Sequence, residues 1–200
     1  MSNTFGIKTS LIALAASVFA VVGFSQDPDP TAWQSKLTYH VLNAYGPEAL
    51  AESAVYDGYR QLTNFPREWG QGAAGYGRRV ASTLAYSGIR NTLGFGLDTA
   101  LHQDPRYYRS GEGGLWSRTR HAIHGTLFAR KDAGGETFAT WRFGSAYGAT
   151  FLSNEWYPDR LNTVKEGLEQ GSMQIAFDVA ANLRNEFWPD VKNKFLRRKP

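Results

Sequence analysis

The stretch "RNTLGFGLDTALHQDPRY" (Arg90–Tyr107) decides the fold. Leu93, Leu97 and Leu101 recur every four residues, which is helical spacing. Gly94 and Gly96 sit between them, each costing roughly 1 kcal/mol in a helix interior relative to alanine. Arg90 and Asp98 also fall among the apolar positions. A helix accepts such residues where a close neighbour makes small side chains useful and where charges find partners.

Outward from that stretch the chain reads as a run of helices. Pro47 opens "PEALAESAVYDGYRQL", with Pro at the first helical position. A long helix is expected from about Ala73 to His102, stopped by Asp104-Pro105. A basic helix follows from Leu115 to about Arg130 and ends in "DAGG". An apolar helix runs from Glu136 to about Ser153, and a last long one from Thr163 to Phe187, closed by Trp188-Pro189. The expected fold class is all-α: a compact bundle of about five main helices, packed through glycine and alanine seams.

The seams are explicit. On the long helix Gly77, Ala81, Ala85, Gly88, Thr92, Gly96 and Ala100 share one arc at 100° per residue. Gly144-x-x-x-Gly148 marks the fourth helix, and Gly167-x-x-x-Gly171 the last, continued by Ser172, Ala176 and Ala180. Small residues at that spacing let backbones approach and gain dispersion contacts. Gly96 and Gly148 are therefore expected to resist leucine. An outer-membrane β-barrel is the alternative fold, because "WRFGSAYGATF" (Trp141–Phe151) also alternates in the manner of a strand.

The four charges set inside apolar helices are expected to pair, because an unpaired buried charge costs several kcal/mol. Arg90 and Arg142 are matched to Asp98 and Asp178.

Residues 1–25 read as a secretory signal peptide. Lys8 supplies the positive start and "LIALAASVFAVV" the apolar run, with Gln26 as the expected mature N-terminus. Residues 26–36 are a Pro-punctuated lead-in, and 37–200 a single helical domain. The chain contains no cysteine, which excludes a lipid anchor on an N-terminal cysteine and any disulfide. An exported chain of this kind suits the periplasm or a position against the outer membrane. No apolar run beyond the signal region is long enough for a transmembrane helix, since Arg90, Asp98, Arg142 and Asp178 interrupt every candidate. A formal net charge of +4 on an exported chain argues against nucleic acid.

Three constellations carry chemistry. Asp98 and His102 are four apart on one helix, and His121 and His124 three apart on the next, so nitrogen and oxygen ligands suited to zinc share a face. They are the basis of an alternative function, a metal-dependent hydrolase; no cofactor is otherwise implied. Arg106, Arg109, Arg118 and Arg120, with Tyr107, Tyr108 and Trp116 among them, form a candidate site for anionic lipid. Ser117-Arg118 and His124 match part of a lipid-phosphatase pattern, but Phe128 stands where the pattern needs an aspartate. The leading expectation is a non-catalytic binding or structural module of the cell envelope, whose partner is anionic lipid or an envelope protein.

The strings "EWGQGAAGYG" (Glu68–Gly77), "RNTLGFGLD" (Arg90–Asp98), "DPRYY" (Asp104–Tyr108) and "EFWPD" (Glu186–Asp190) are distinctive. On them the chain resembles a group of uncharacterised exported bacterial proteins over roughly Tyr39 to Phe195. That resemblance implies one exported domain and assigns no activity or site residue.

Overall fold

The structure, a computed structural model, describes residues 29–196, with the side chains of the last two left aside. The expected signal peptide and the Gln26 terminus lie outside the described residues. Six α-helices account for most of the chain: α1 Trp33–Tyr45, α2 Pro47–Leu62, α3 Gly72–Ala100, α4 Leu115–Leu127, α5 Thr140–Asn154 and α6 Val164–Leu196. Two strands, β1 Phe128–Arg130 and β2 Glu136–Phe138, form an antiparallel hairpin. The fold is thus all-α, helices packed together with a small hairpin at one end. The alternating stretch Trp141–Phe151 is helical, which sets the barrel alternative aside.

Packing radiates from two helices. α3 carries α1, α2 and α5 against it, and α6 lies between α5 and α4. α1 starts at Trp33, inside the stretch read as a lead-in, and buries Lys36.

Two other boundaries differ from the sequence reading. The hairpin replaces the end of one expected helix and the start of the next. Gly134 and Gly135 hold φ of 90° and 81°, a left-handed conformation that other residues rarely adopt, and so turn β1 back onto β2. Their register pairs Phe128 with Phe138 and Arg130 with Glu136. Second, α6 does not stop at Trp188-Pro189 but continues to Leu196 with Pro189 inside it. Proline removes one helical N–H and crowds the carbonyls of the preceding turn. The Glu186 carbonyl, three residues back, instead accepts from Arg109 Nε at 2.8 Å and Arg118 Nη2 at 2.5 Å. These donors anchor the proline-containing stretch of α6 to α4 and the loop before it.

The glycine seams on α5 and α6 pack, but as sockets for side chains rather than as backbone-to-backbone seams. A Cβ at Gly144 would sit 2.8 Å from Leu97 Cδ1, and one at Gly148 3.1 Å from Leu93 Cδ1. A Cβ at Gly167 would meet the Phe151 ring at 2.5 Å, and one at Gly171 would overlap the Tyr147 ring. Two antiparallel ladders result, α3 into α5 and α5 into α6. On α3 the expected seam is largely misplaced: Gly77 and Gly96 face open space, and Ala81, Ala85, Thr92 and Ala100 are exposed. Gly88 alone in that arc is crowded, by the Tyr45 hydroxyl. The close approach on the inner side of α3 falls at Gly94, where a Cβ would lie 2.7 Å from the His40 ring.

The interior is polar. Fully buried apolar side chains are mostly alanines, with Trp141 and Leu161 the large ones. Lys36, His40, Asp57, Arg60, Arg79, Asp98, Arg142 and Glu186 are buried beside them. Large apolar residues meanwhile face out on all six helices, among them Leu42, Val55, Ile123, Leu152 and Phe177. Helix by helix, the inward stripe is the polar one: Lys36 and His40 on α1, Arg79, Ser82 and Asp98 on α3, Arg142 and Ser145 on α5, and Asn182 and Glu186 on α6.

Candidate functional site

Three polar clusters occupy this interior. In the first, α1 and the last turns of α3 bring His40 against Asp98. His40 Nε2 lies 2.7 Å from Asp98 Oδ2, and Nδ1 lies 3.1 Å from Asn91 Oδ1. Asn91 gives its amide N–H to the Ser87 carbonyl one turn back, which turns its oxygen toward the ring. Tyr39, Phe95 and Trp141 stand edge-on around the imidazole. Lys36, one turn earlier, donates to Asp132 at 2.7 Å and ties α1 to the hairpin turn. A His–Asp dyad is the orienting half of a nucleophilic site. Here the far ring nitrogen faces an amide oxygen, and the pair is sealed from solvent.

The second cluster is tied around Glu186. Its carboxylate accepts from Arg118 Nε at 2.8 Å, Tyr107 Oη at 2.7 Å, and the amides of Ser110 at 3.0 Å and Gly111 at 2.9 Å. Burial by itself would push this carboxyl up, but Arg118, Tyr107 and the two amides outweigh it and hold it at about 2. Next to it Asp190 takes Arg118 and Arg109, each at 2.6 Å, and those two arginines hold it below the usual carboxylate range. The loop Tyr107–Gly111 is thereby closed onto α6.

The third cluster lies at the other end. Arg79 donates to the carbonyls of Phe65, Pro66 and Gly70 and to Gln61 Oε1, clamping the loop between α2 and α3. Arg60 is buried among Tyr56, Phe65, Trp69 and Tyr157, all within 6 Å of its guanidinium carbon, and donates to Tyr157 Oη at 2.8 Å. Above it opens a shallow cleft of about 450 Å³ lined by Trp69, Arg78, Ala81, Ser82, Ala85 and Trp156. The Trp156 indole donates to Ser82 Oγ at 2.9 Å.

The residues singled out from sequence are distributed among these clusters as follows. Arg90 meets Asp178 at 2.6 Å, joining α3 to α6. Asp98 takes His40 instead of an arginine. Arg142 forms none of the ion pairs found among the described residues; its guanidinium lies 4.7 Å from the Trp141 ring. α1 packs on α3 and brings His40 Nε2 to within 2.7 Å of Asp98 Oδ2, which occupies that carboxylate.

The four proposed metal ligands are not brought together. Asp98 is buried with His40, while His102 is exposed and lies 3.7 Å from Asp132. His121 contacts the Tyr108 carbonyl, and His124 lies 3.7 Å from Glu136. Among the described residues no group of three or more such side chains is placed to hold an ion. The left-handed turn at His102, φ 52°, ends the helical register that would have kept it beside Asp98.

The candidate anion site is likewise dispersed. Arg109 and Arg118 are committed to Glu186 and Asp190, and Arg106 donates to the Pro30 carbonyl and lies 3.6 Å from Asp104. Arg120 is exposed and outside those pairs. Sequence reasoning missed His40, Lys36, Arg60, Arg79 and Glu186. One signal was available: Asp178, Asn182 and Glu186 recur at four-residue steps, seven positions on from Gly171, and so extend its inward face.

Comparison with known protein families, with curated proteins and with solved structures finds no match.

Proposed function

We propose that this chain is a non-catalytic module of the cell envelope, exported through its N-terminal segment, whose apolar exterior binds an envelope component. One observation carries the reading: the buried charged and imidazole groups are committed to holding the interior together, while most large apolar side chains are left outside. Arrays of exposed large apolar side chains on this scale mark interaction surfaces. The metal-hydrolase alternative loses its basis, because its ligands lie in separate clusters.

The direct test is fractionation of cells producing the full chain, followed by crosslinking in place. The reading expects the mature protein in the envelope fraction, crosslinked to an envelope component, with no hydrolytic activity changed by His102→Ala. Recovery in the cytosol with an uncleaved N-terminus would refute it.

A further inference from the structure

No helix among the described residues is by itself long and apolar enough to cross a membrane. The mean hydropathy of a helix averages its inward and outward faces, and in this bundle the inward faces hold the charges. After Arg78, the exposed positions of α3 are Ala81, Ala85, Thr92, Gly96 and Ala100, none charged. α5 exposes only uncharged residues, Phe151 and Leu152 among them. Between Glu169 and Arg184, α6 exposes Ser172, Met173, Ala176, Phe177 and Ala180. Every acidic or basic side chain of these segments points inward: Arg90 and Asp178 to each other, Asp98 to His40, Arg142 to Trp141.

We propose that the uncharged outer faces of α3, α5 and α6, three neighbouring helices, lie against the hydrocarbon of a lipid bilayer, entered by the bundle as a unit. The inference deepens the envelope reading above and rests on it. Three further observations select lipid over a protein partner. From Ala81 to Ala100 the uncharged face of α3 runs for about 30 Å at the helical rise per residue, which is about the thickness of a bilayer's hydrocarbon. Exposed tryptophans mark both ends of the bundle: Trp156 at one, and Trp33, Trp116 and Trp188 at the other. Indoles concentrate at membrane–water boundaries because one part of the ring is apolar and the other donates a hydrogen bond. The first end carries Arg78 together with the exposed acids Glu155 and Asp159; beyond the tryptophans of the second lie Arg120, Lys131, Lys192 and Lys194, exposed cations outside the ion pairs found among the described residues. These suit anionic headgroups.

A second copy would meet one patch across a two-fold axis. A fluid solvent covers the uncharged stretches of all three helices. The exposed cluster of Arg184 with Glu48 and Glu52 lies on the α2 flank, which stays outside the proposed contact.

The absence of cysteine makes the test clean. Single cysteines at Ala85, Leu152, Met173 and Phe177, with controls at Glu112 and Asn162, are introduced into the full chain. Each is nitroxide-labelled in vesicles of phosphatidylethanolamine and phosphatidylglycerol. The expected result is collision with oxygen exceeding collision with an aqueous nickel chelate at the four positions, and the reverse at both controls. Ready access of nickel to the four positions overturns the proposal. Shielding from both reagents also overturns it, and then means that protein covers the face, which leaves the envelope reading standing. An independent arm uses Met173→Lys and Phe177→Lys, changes that an exposed position in water accepts. Both should keep the helical circular dichroism of the parent and shift from the vesicle pellet to the supernatant. Unchanged sedimentation with vesicles counts against lipid contact.

Discussion

Glu186 shows what a single residue does in this interior. It is buried, yet four donors keep it ionised to a pH of about 2. Its folded value lies below the unfolded value of about 4.3, so the stability it contributes is fully present above that pH and is lost as pH falls from there towards 2. Glu186→Gln keeps the shape but leaves Arg118 without its buried counter-charge. We expect a loss of about 3 kcal/mol at neutral pH. Thermal melts should also show a smaller further loss than the parent between pH 4.3 and 2. Asp98→Asn addresses the first cluster in the same way, since it weakens the hold on His40. A clear fall in melting temperature is expected, and an unchanged one would show that the dyad contributes nothing to the fold.

At the scale of the element, the helices were legible and their orientation was not. Helical period and capping residues locate α2, α3 and α4 to within a few positions, because backbone preference is local. Which face turns inward is a tertiary fact. Reading inward as apolar and small placed the α3 seam on Gly96 and Ala100, whereas the inner side of α3 carries Gly94 and Asp98. The rule held at the glycines of α5 and α6, where aromatic and leucine side chains needed a socket, but not at Ser172, Ala176 and Ala180, which face out. His40 stood alone in the sequence because its partners, Asn91 and Asp98, lie more than fifty residues away. The two α3 and α6 faces give opposite expectations for similar changes. Gly96→Ala meets open space in a helix and should stabilise by about 1 kcal/mol. Gly171→Ala overlaps the Tyr147 ring, which Ser172 pins through a 2.9 Å hydrogen bond, and should cost about 2 kcal/mol. Chemical denaturation of the two variants side by side checks the assignment of faces.

For the whole molecule, the arrangement inverts the usual one. Alanines, glycine sockets and paired charges fill the inside, and large apolar side chains stand outside. The inner charges then do work that an apolar core does elsewhere: they specify which helices meet, Arg90 selecting α6 through Asp178, His40 joining α1 to α3, and Glu186 fixing the loop before α4. The most direct measurement is a double-mutant cycle across Arg90 and Asp178, read as unfolding free energy for Arg90→Met, Asp178→Leu and the combined variant. Each single change strands one charge among apolar neighbours, so each should be costly, and the combined variant should recover much of the loss, with a coupling of about 2 kcal/mol. Single costs that simply add, with no coupling, would contradict an interior held together by its charges.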